Sequence, residues 1–193
     1  DGPLSVSLSR RFQTPFAGAF IESCAAVGIA PNMDYNGASQ KGAGSLQFTI
    51  KNGKRHSAAA AFLAPVLKRP NLKIVTGAHV EKIILEKGRA VGVRMQKGKK
   101  KQDFHAGKEI ILSAGAFNSP QLLMLSGIGD PQELAKHNIS CQHALPGVGK
   151  NLQDHLFFPV SATAPQQAGL NHLIKPLPQL RALFKWWRRK EGP

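Results

Sequence analysis

Apolar positions near the start of the chain recur at three- and four-residue steps: Phe12, Phe16, Phe20 and Ile21 predict a helix over residues 14–27, with Gly28 as its stop. Residues 31–44 read as a loop rich in Gly, Asn and Asp, and residues 45–50 alternate as a strand does before the Asn52-Gly53 turn signal. An alanine-rich stretch over residues 57–68 predicts a second helix, closed by Pro70. From Leu72 the pattern changes to strands, expected over residues 72–76, 80–86, 90–96, 102–106 and 109–113. Turns at Lys87-Gly88-Arg89 and Lys97-Gly98-Lys99-Lys100 make the middle three a meander of hairpins. Further helices are expected over residues 131–137 and 177–189. Between them a glycine-containing loop runs to His155, and the composition turns to Pro, Gln and Ala after Phe158.

The densest local signals lie in residues 113–129, Ser-Ala-Gly-Ala-Phe-Asn-Ser-Pro-Gln-Leu-Leu-Met-Leu-Ser-Gly-Ile-Gly. The apolar run Glu109-Ile110-Ile111-Leu112, of buried-strand type, ends there in small residues that let another backbone or a ligand approach. Ser119 offers an N-cap oxygen, Pro120 suits the first helical position and Gly127 the C-terminal stop, which leaves a short apolar helix over residues 121–126.

Composition narrows the picture only in part. A length of 193 residues allows one or at most two domains. Cys24 and Cys141 are too few for a disulfide scaffold and lack metal spacing, so a reducing, cytoplasmic setting is the default. No signal peptide or membrane-spanning stretch is evident. The chain starts at Asp1 and ends at Glu191-Gly192-Pro193, and it is expected to be a soluble piece of something larger. The formal charge of +15 raises nucleic-acid binding, an anionic membrane surface such as the inner membrane, or a basic piece balanced elsewhere. Lys97, Lys99, Lys100 and Lys101 read as a solvated hairpin turn. Lys185-Trp186-Trp187-Arg188-Arg189-Lys190 reads either as a lipid or protein interface or, with more weight, as a core-facing helix end with snorkelling cations.

Four blocks in order carry a family likeness. The first is Asn36-Gly37-Ala38-Ser39-Gln40-Lys41-Gly42-Ala43-Gly44, with Gln47, Thr49, Gly53, Arg55 and Ser57. The second runs from Asn71 to Val93 and includes Leu72-Lys73-Ile74-Val75-Thr76, Val80 and Arg89-Ala90-Val91-Gly92-Val93. The third is the 113–129 run, and the fourth is Leu145-Pro146-Gly147-Val148-Gly149-Lys150-Asn151-Leu152-Gln153-Asp154-His155. Together they resemble the glucose-methanol-choline (GMC) oxidoreductases, nearest to the choline-dehydrogenase-like branch, over roughly residues 1–158.

The resemblance implies a mixed α/β fold: part of an FAD-binding, Rossmann-like domain (residues 66–158) interleaved with part of an antiparallel-sheet substrate domain (residues 1–65 and 159–193). It implies FAD as cofactor and an alcohol as substrate, oxidised by hydride transfer to the flavin, with the electron acceptor open. By resemblance Val80, in Thr76-Gly77-Ala78-His79-Val80, presents its backbone to the adenine end of FAD; as a residue it also reads as a buried strand valine. Ser113, Ala114 and Gly115 end a strand beside the cofactor, or serve tight strand-on-helix packing. Asn118, Ser119 and Pro120 carry the helix start, where a positive dipole favours an anion or a reduced flavin; capping alone explains Ser119. Asp154 and His155 fall in the block that the family places near its domain junction, and His155 as a catalytic base is the weaker reading.

Gly-x-Gly-x-x-Gly, the pyrophosphate fingerprint, is absent; Gly42-Ala43-Gly44, Gly127-Ile128-Gly129 and Gly147-Val148-Gly149 read as loop or helix-stop glycines. The family's catalytic histidine is expected beyond Pro193, so no catalytic residue is assigned within the chain. The chain alone is therefore expected neither to turn over an alcohol nor to hold FAD tightly. The other histidines, His56, His79, His105, His137, His143 and His172, show no ligand spacing, and no Gly-x-Ser-x-Gly elbow occurs. The rival class, a basic module for nucleic acid or an anionic membrane, rests on the lysines and on Trp186-Trp187.

Overall fold

The computed structural model describes residues 2–8, 15–161, 163 and 174–189. Phe12, Thr14, His172 and Lys190 lie outside these. In chain order the first elements are β1 (Ser7–Leu8), α1 (Pro15–Ala26), β2 (Gln47–Phe48), β3 (Ile50–Lys51) and β4 (Lys54–Arg55). They are followed by β5 (His79–Glu86), β6 (Arg89–Lys97), β7 (Lys100–His105) and α2 (Gly115–Leu125). Last come β8 (Ile128–Gly129), α3 (Pro131–Lys136), β9 (His143–Ala144) and α4 (Pro176–Arg189). The chain divides into two compact units, Asp1–Leu72 with Val160–Pro193, and Lys73–Pro159.

In the first unit α1 ends as expected at Gly28, whose N–H reaches Ala25 O at 3.0 Å while Ile29 N–H reaches Cys24 O at 2.9 Å, the paired bonds of a Schellman turn. Its less exposed line is Ala17, Ile21 and Cys24, one helix face, whereas Phe16 and Phe20 are exposed. The expected strand over residues 45–50 is split: β2 pairs with β1, and β3 forms a hairpin with β4 around Asn52-Gly53. The helix expected over residues 57–68 is not a regular α-helix. A π-helical turn, Ala59–Leu63, runs into a 3₁₀ turn, Ala64–Val66, and the Ala64 N–H bonds five residues back to Ala59 O. Pro65 explains this: it has no N–H and its ring disrupts the regular ladder.

The core-facing reading of α4 is also corrected. Leu177, Leu180, Leu183, Phe184 and Trp187 are all exposed, so this apolar stripe is not a core face among the described residues. Trp186 donates its indole N–H to Gly53 O at 3.0 Å.

The second unit is built on the meander β5-β6-β7, antiparallel throughout. Ile83 of β5 and Met95 of β6 are buried, and Arg94 faces Asp103 directly across the β6–β7 ladder in a two-pronged ion pair with both contacts at 2.7 Å. A second cross-strand pair joins Lys101 to Glu81 at 2.8 Å. Helix α2 packs on β5. The chain then turns at Gly127 into β8, which pairs in parallel with β9, a short strand that the sequence pattern did not show. Between them α3 starts at an Asp130 cap and buries Leu134, 2% exposed, beneath Gly129.

Two strands expected here are not formed. Residues 72–76 and 109–113 belong to no strand, because neither has a hydrogen-bonded neighbour among the described residues, and Ile74, Val75 and Ile111 are exposed. An apolar run of strand composition becomes a strand only when another pairs with it.

Candidate functional site

The sequence-nominated residues all lie in the second unit. Ser113 and Ala114 do not end a strand; they lead directly into α2, which starts at Gly115 rather than after Ser119. The break is made by Gly115 itself, at φ +91°, a conformation that glycine adopts without the penalty of a Cβ. Ser119 is therefore not the N-cap. It sits inside the first turns and its hydroxyl accepts the N–H of Ala114, the residue that does occupy the cap, at 3.0 Å. A side chain thus reaches back to the N-cap N–H, as the third residue of a capping box does, but here from the fifth helical residue. Pro120 is the sixth residue of the helix, past the first turn, so its missing N–H removes the bond to Ala116 O that the regular ladder would make, and it has no donor to offer a ligand.

The donors of this junction are consequently not those of Asn118, Ser119 or Pro120. The first-turn amides of Gly115, Ala116 and Phe117 have no intrahelical acceptor, they belong to exposed residues, and no acidic side chain competes in that turn. They point along the positive end of the helix dipole. A Cβ on Gly115 would have no heavy atom within 4 Å, so open space lies beside its backbone. Open space, unengaged amides and a positive helix end together fit an approaching anionic or electron-rich cofactor.

Val80 lies near the start of β5, opposite Met95, and is 37% exposed rather than buried. A register shift follows between Val80 and Lys82. The structure thus joins Ser113, Ala114, Gly115, Asn118, Ser119 and Pro120 in one loop-to-helix segment and packs that helix on the strand that carries Val80. Asp154 and His155 are not brought to them by any hydrogen bond among the described residues; both are exposed, and Asp154 Oδ1 accepts the His155 N–H at 2.7 Å.

Two residues that hold this region were not singled out in the sequence. Asp130 caps α3 by accepting the Gln132 N–H at 2.9 Å and pairs with Lys150 at 2.9 Å, tying the 145–151 loop to the helix start. The Lys150 hydrogen bond first, then the Gln132 amide, hold its carboxyl below the ordinary value. The signal was present, an Asp directly before a Pro at the first helical position. Ser126 is the other: it is buried, accepts the Ile83 N–H at 2.7 Å and donates to Leu122 O at 2.6 Å. No local pattern marks a serine that bonds a strand forty-three residues away.

A shallow groove in the first unit, lined by Val6, Ser7, Leu8, Asp34 and Gln47, contains none of the nominated residues.

The family model of the GMC oxidoreductases matches residues 1–157, which is most of the chain and includes the whole junction described above. The chain belongs to the GMC oxidoreductase family. Among curated GMC-type relatives, the oxygen-dependent choline dehydrogenase of Brucella anthropi is 47% identical over the full chain, which covers 35% of that protein. The mitochondrial choline dehydrogenase of Homo sapiens is 43% identical over 97% of the chain and 32% of its own length. Among solved structures, an FAD-dependent oxidoreductase from Chaetomium thermophilum superposes with a TM-score of 0.90 at 28% identity, over all of this chain and 34% of that one. The mixed helix-and-sheet fold is therefore that of a GMC segment. The chain spans about a third of the length of the curated relatives it matches. The comparisons give no support to the nucleic-acid rival.

Proposed function

We propose that the full-length protein is an FAD-dependent oxidoreductase acting on the CH–OH group of an alcohol, choline-dehydrogenase-like in substrate class. The observation that carries this reading is the family match over residues 1–157. When bound, FAD would supply the acceptor for a hydride leaving the alcohol carbon, chemistry that belongs to the cofactor.

This chain's part is to bind and orient. Residues 66–158 are assigned to the FAD-binding domain, and residues 1–65 and 159–193 to the substrate domain. The first-turn amides of Gly115, Ala116 and Phe117 would offer donors and a positive dipole, and the Ser113-Ala114-Gly115 backbone, without bulky side chains, would let the cofactor approach closely. The exposed Val80 backbone would take the adenine end. Ser119, Asn118 and Pro120 shape the helix start rather than donate; Asp154 and His155 are assigned to the domain junction. The exposed apolar run Leu156, Phe157, Phe158 and Val160 is surface that the remainder of a longer protein would cover.

No helix among the described residues is long and apolar enough to cross a membrane. A cytoplasmic site of action, with α4 offering Arg181, Arg188 and Arg189 for peripheral contact with an anionic membrane, belongs to the same reading. Cosedimentation with anionic vesicles at low salt, lost at high salt, supports that contact; equal recovery with neutral vesicles removes it.

The test of the flavin assignment is FAD affinity in the full-length gene product. Gly115→Ala, which sets a methyl group into the open space beside the backbone, is expected to weaken FAD binding about tenfold or more. Wild-type affinity in this variant would remove Gly115 from the site.

A further inference from the structure

We propose that Ser126 is a positioning residue for the flavin site, the joint that fixes the strand carrying Val80 against the helix carrying the Gly115, Ala116 and Phe117 amides. The inference rests on the flavin reading above and assigns a role to a side chain that is itself remote from the ligand.

Ser126 and Ile83 are each 7% exposed, so the hydrogen bond between them is shielded from water. The Ile83 N–H is on an edge strand and goes to the serine hydroxyl, 2.7 Å away, rather than to the neighbouring strand. The same hydroxyl donates to Leu122 O at 2.6 Å, one turn back in α2. One oxygen thus accepts from β5 and donates to α2, and neither bond can be replaced by solvent.

Its place along β5 gives the joint its consequence. Val80 stands three residues before Ile83, with the register shift between Val80 and Lys82 separating them. A bulge loosens the ladder locally, so pairing with β6 does not by itself fix Val80 relative to α2. The hydroxyl ties the strand to the helix just beyond the bulge. Removing it leaves a buried amide without an acceptor, and the least costly relief is a shift of β5 away from α2. That shift changes the spacing between the two elements that would hold opposite parts of one cofactor.

The test compares FAD dissociation constants of the full-length protein, measured by flavin fluorescence at a temperature where every variant is folded. The set is wild type, Ser126→Ala, Ser126→Thr, Gly115→Ala and Leu134→Val, the last a destabilising change in the same unit away from the junction. Ser126→Ala is expected to weaken FAD roughly tenfold. Ser126→Thr, which keeps the hydroxyl and can bond the same helical carbonyl, is expected to recover most of that loss. Leu134→Val should stay within about twofold of wild type, because it alters packing without touching the joint. If Ser126→Ala does not fold, Ser126→Cys, of similar size but a weak acceptor, is read in the same way. Wild-type affinity in Ser126→Ala with weakened binding in Gly115→Ala overturns the joint and leaves the flavin reading standing. Wild-type affinity in both overturns the joint and removes Gly115 from the site, a full-length protein that binds no FAD overturns the flavin reading itself, and an equal loss in Leu134→Val reduces Ser126 to a general stabiliser and overturns the proposal.

Discussion

Replacing Gly127 with alanine probes how the end of α2 is held, and its cost divides into two parts that can be measured separately. Gly127 sits at φ +82°, where an L-residue pays about 1–2 kcal/mol for the left-handed backbone. A Cβ there would also lie 2.6 Å from Ser140 O and 2.7 Å from Gln142 Cγ. The Ser140 carbonyl cannot simply retreat, because Gln142 and His143 both donate their N–H groups to Gly127 O, at 2.8 and 3.2 Å. Forcing atoms into such a site adds about 1–3 kcal/mol, for a total of about 2–5 kcal/mol. Gly88, in the β5–β6 turn, has nearly the same φ of +78° but nothing within 4 Å of a built Cβ. Gly88→Ala should therefore show the backbone part alone, about 1–2 kcal/mol. Urea unfolding of both variants, read as a midpoint shift at unchanged slope, gives the comparison. Equal losses at the two positions would refute the reasoning, since they would mean that residues 140–142 yield to the new methyl at no cost.

Leu134→Ala removes the most deeply buried large side chain among the described residues, 2% exposed, and is expected to cost about 2–5 kcal/mol in the same urea assay; a loss under ~1 kcal/mol would show that the site collapses around it. Acid should destabilise the second unit through two carboxyls. Asp103 is held below the ordinary carboxylate value chiefly by its hydrogen bond from Arg94, and Asp130 chiefly by that from Lys150. A depressed folded pKa gives stability that is present above the unfolded value, near 3.9, and is lost as the pH falls through the folded one. The thermal midpoint is accordingly expected to drop as the pH falls below about 4, and the double variant Asp103→Asn, Asp130→Asn should flatten that part of the profile. An unchanged profile in the double variant would remove both pairs as the cause.

Much of this architecture could be read from local pattern. The β5-β6-β7 meander declared itself through apolar strand segments separated by glycine turns, α1 through its three- and four-residue steps and glycine stop, and α1, α3 and α4 all fall within a residue of their expected bounds. What failed were features decided by partners or by one atom. Residues 72–76 and 109–113 have strand composition but no neighbour to pair with, and composition carries no information about that. Pro65 was passed over inside an alanine-rich run, although a missing N–H turns such a helix into π and 3₁₀ pieces. In the nominated segment the sequence signals misplaced the start of the helix. Ser119 and Pro120 imitate a cap and first helical residue, yet the sharper break is Gly115, so the donors fall on Gly115, Ala116 and Phe117. Ser126 was invisible for a different reason: its partner, Ile83, is local only in space.

The most direct test of the central claim is anaerobic mixing of the full-length, FAD-loaded protein with choline and a short panel of primary alcohols, following the visible flavin band. Bleaching by choline or another alcohol, with appearance of the matching carbonyl product in equal amount, is the expected result. A protein that holds FAD stoichiometrically and is bleached by dithionite but by no alcohol would contradict the account.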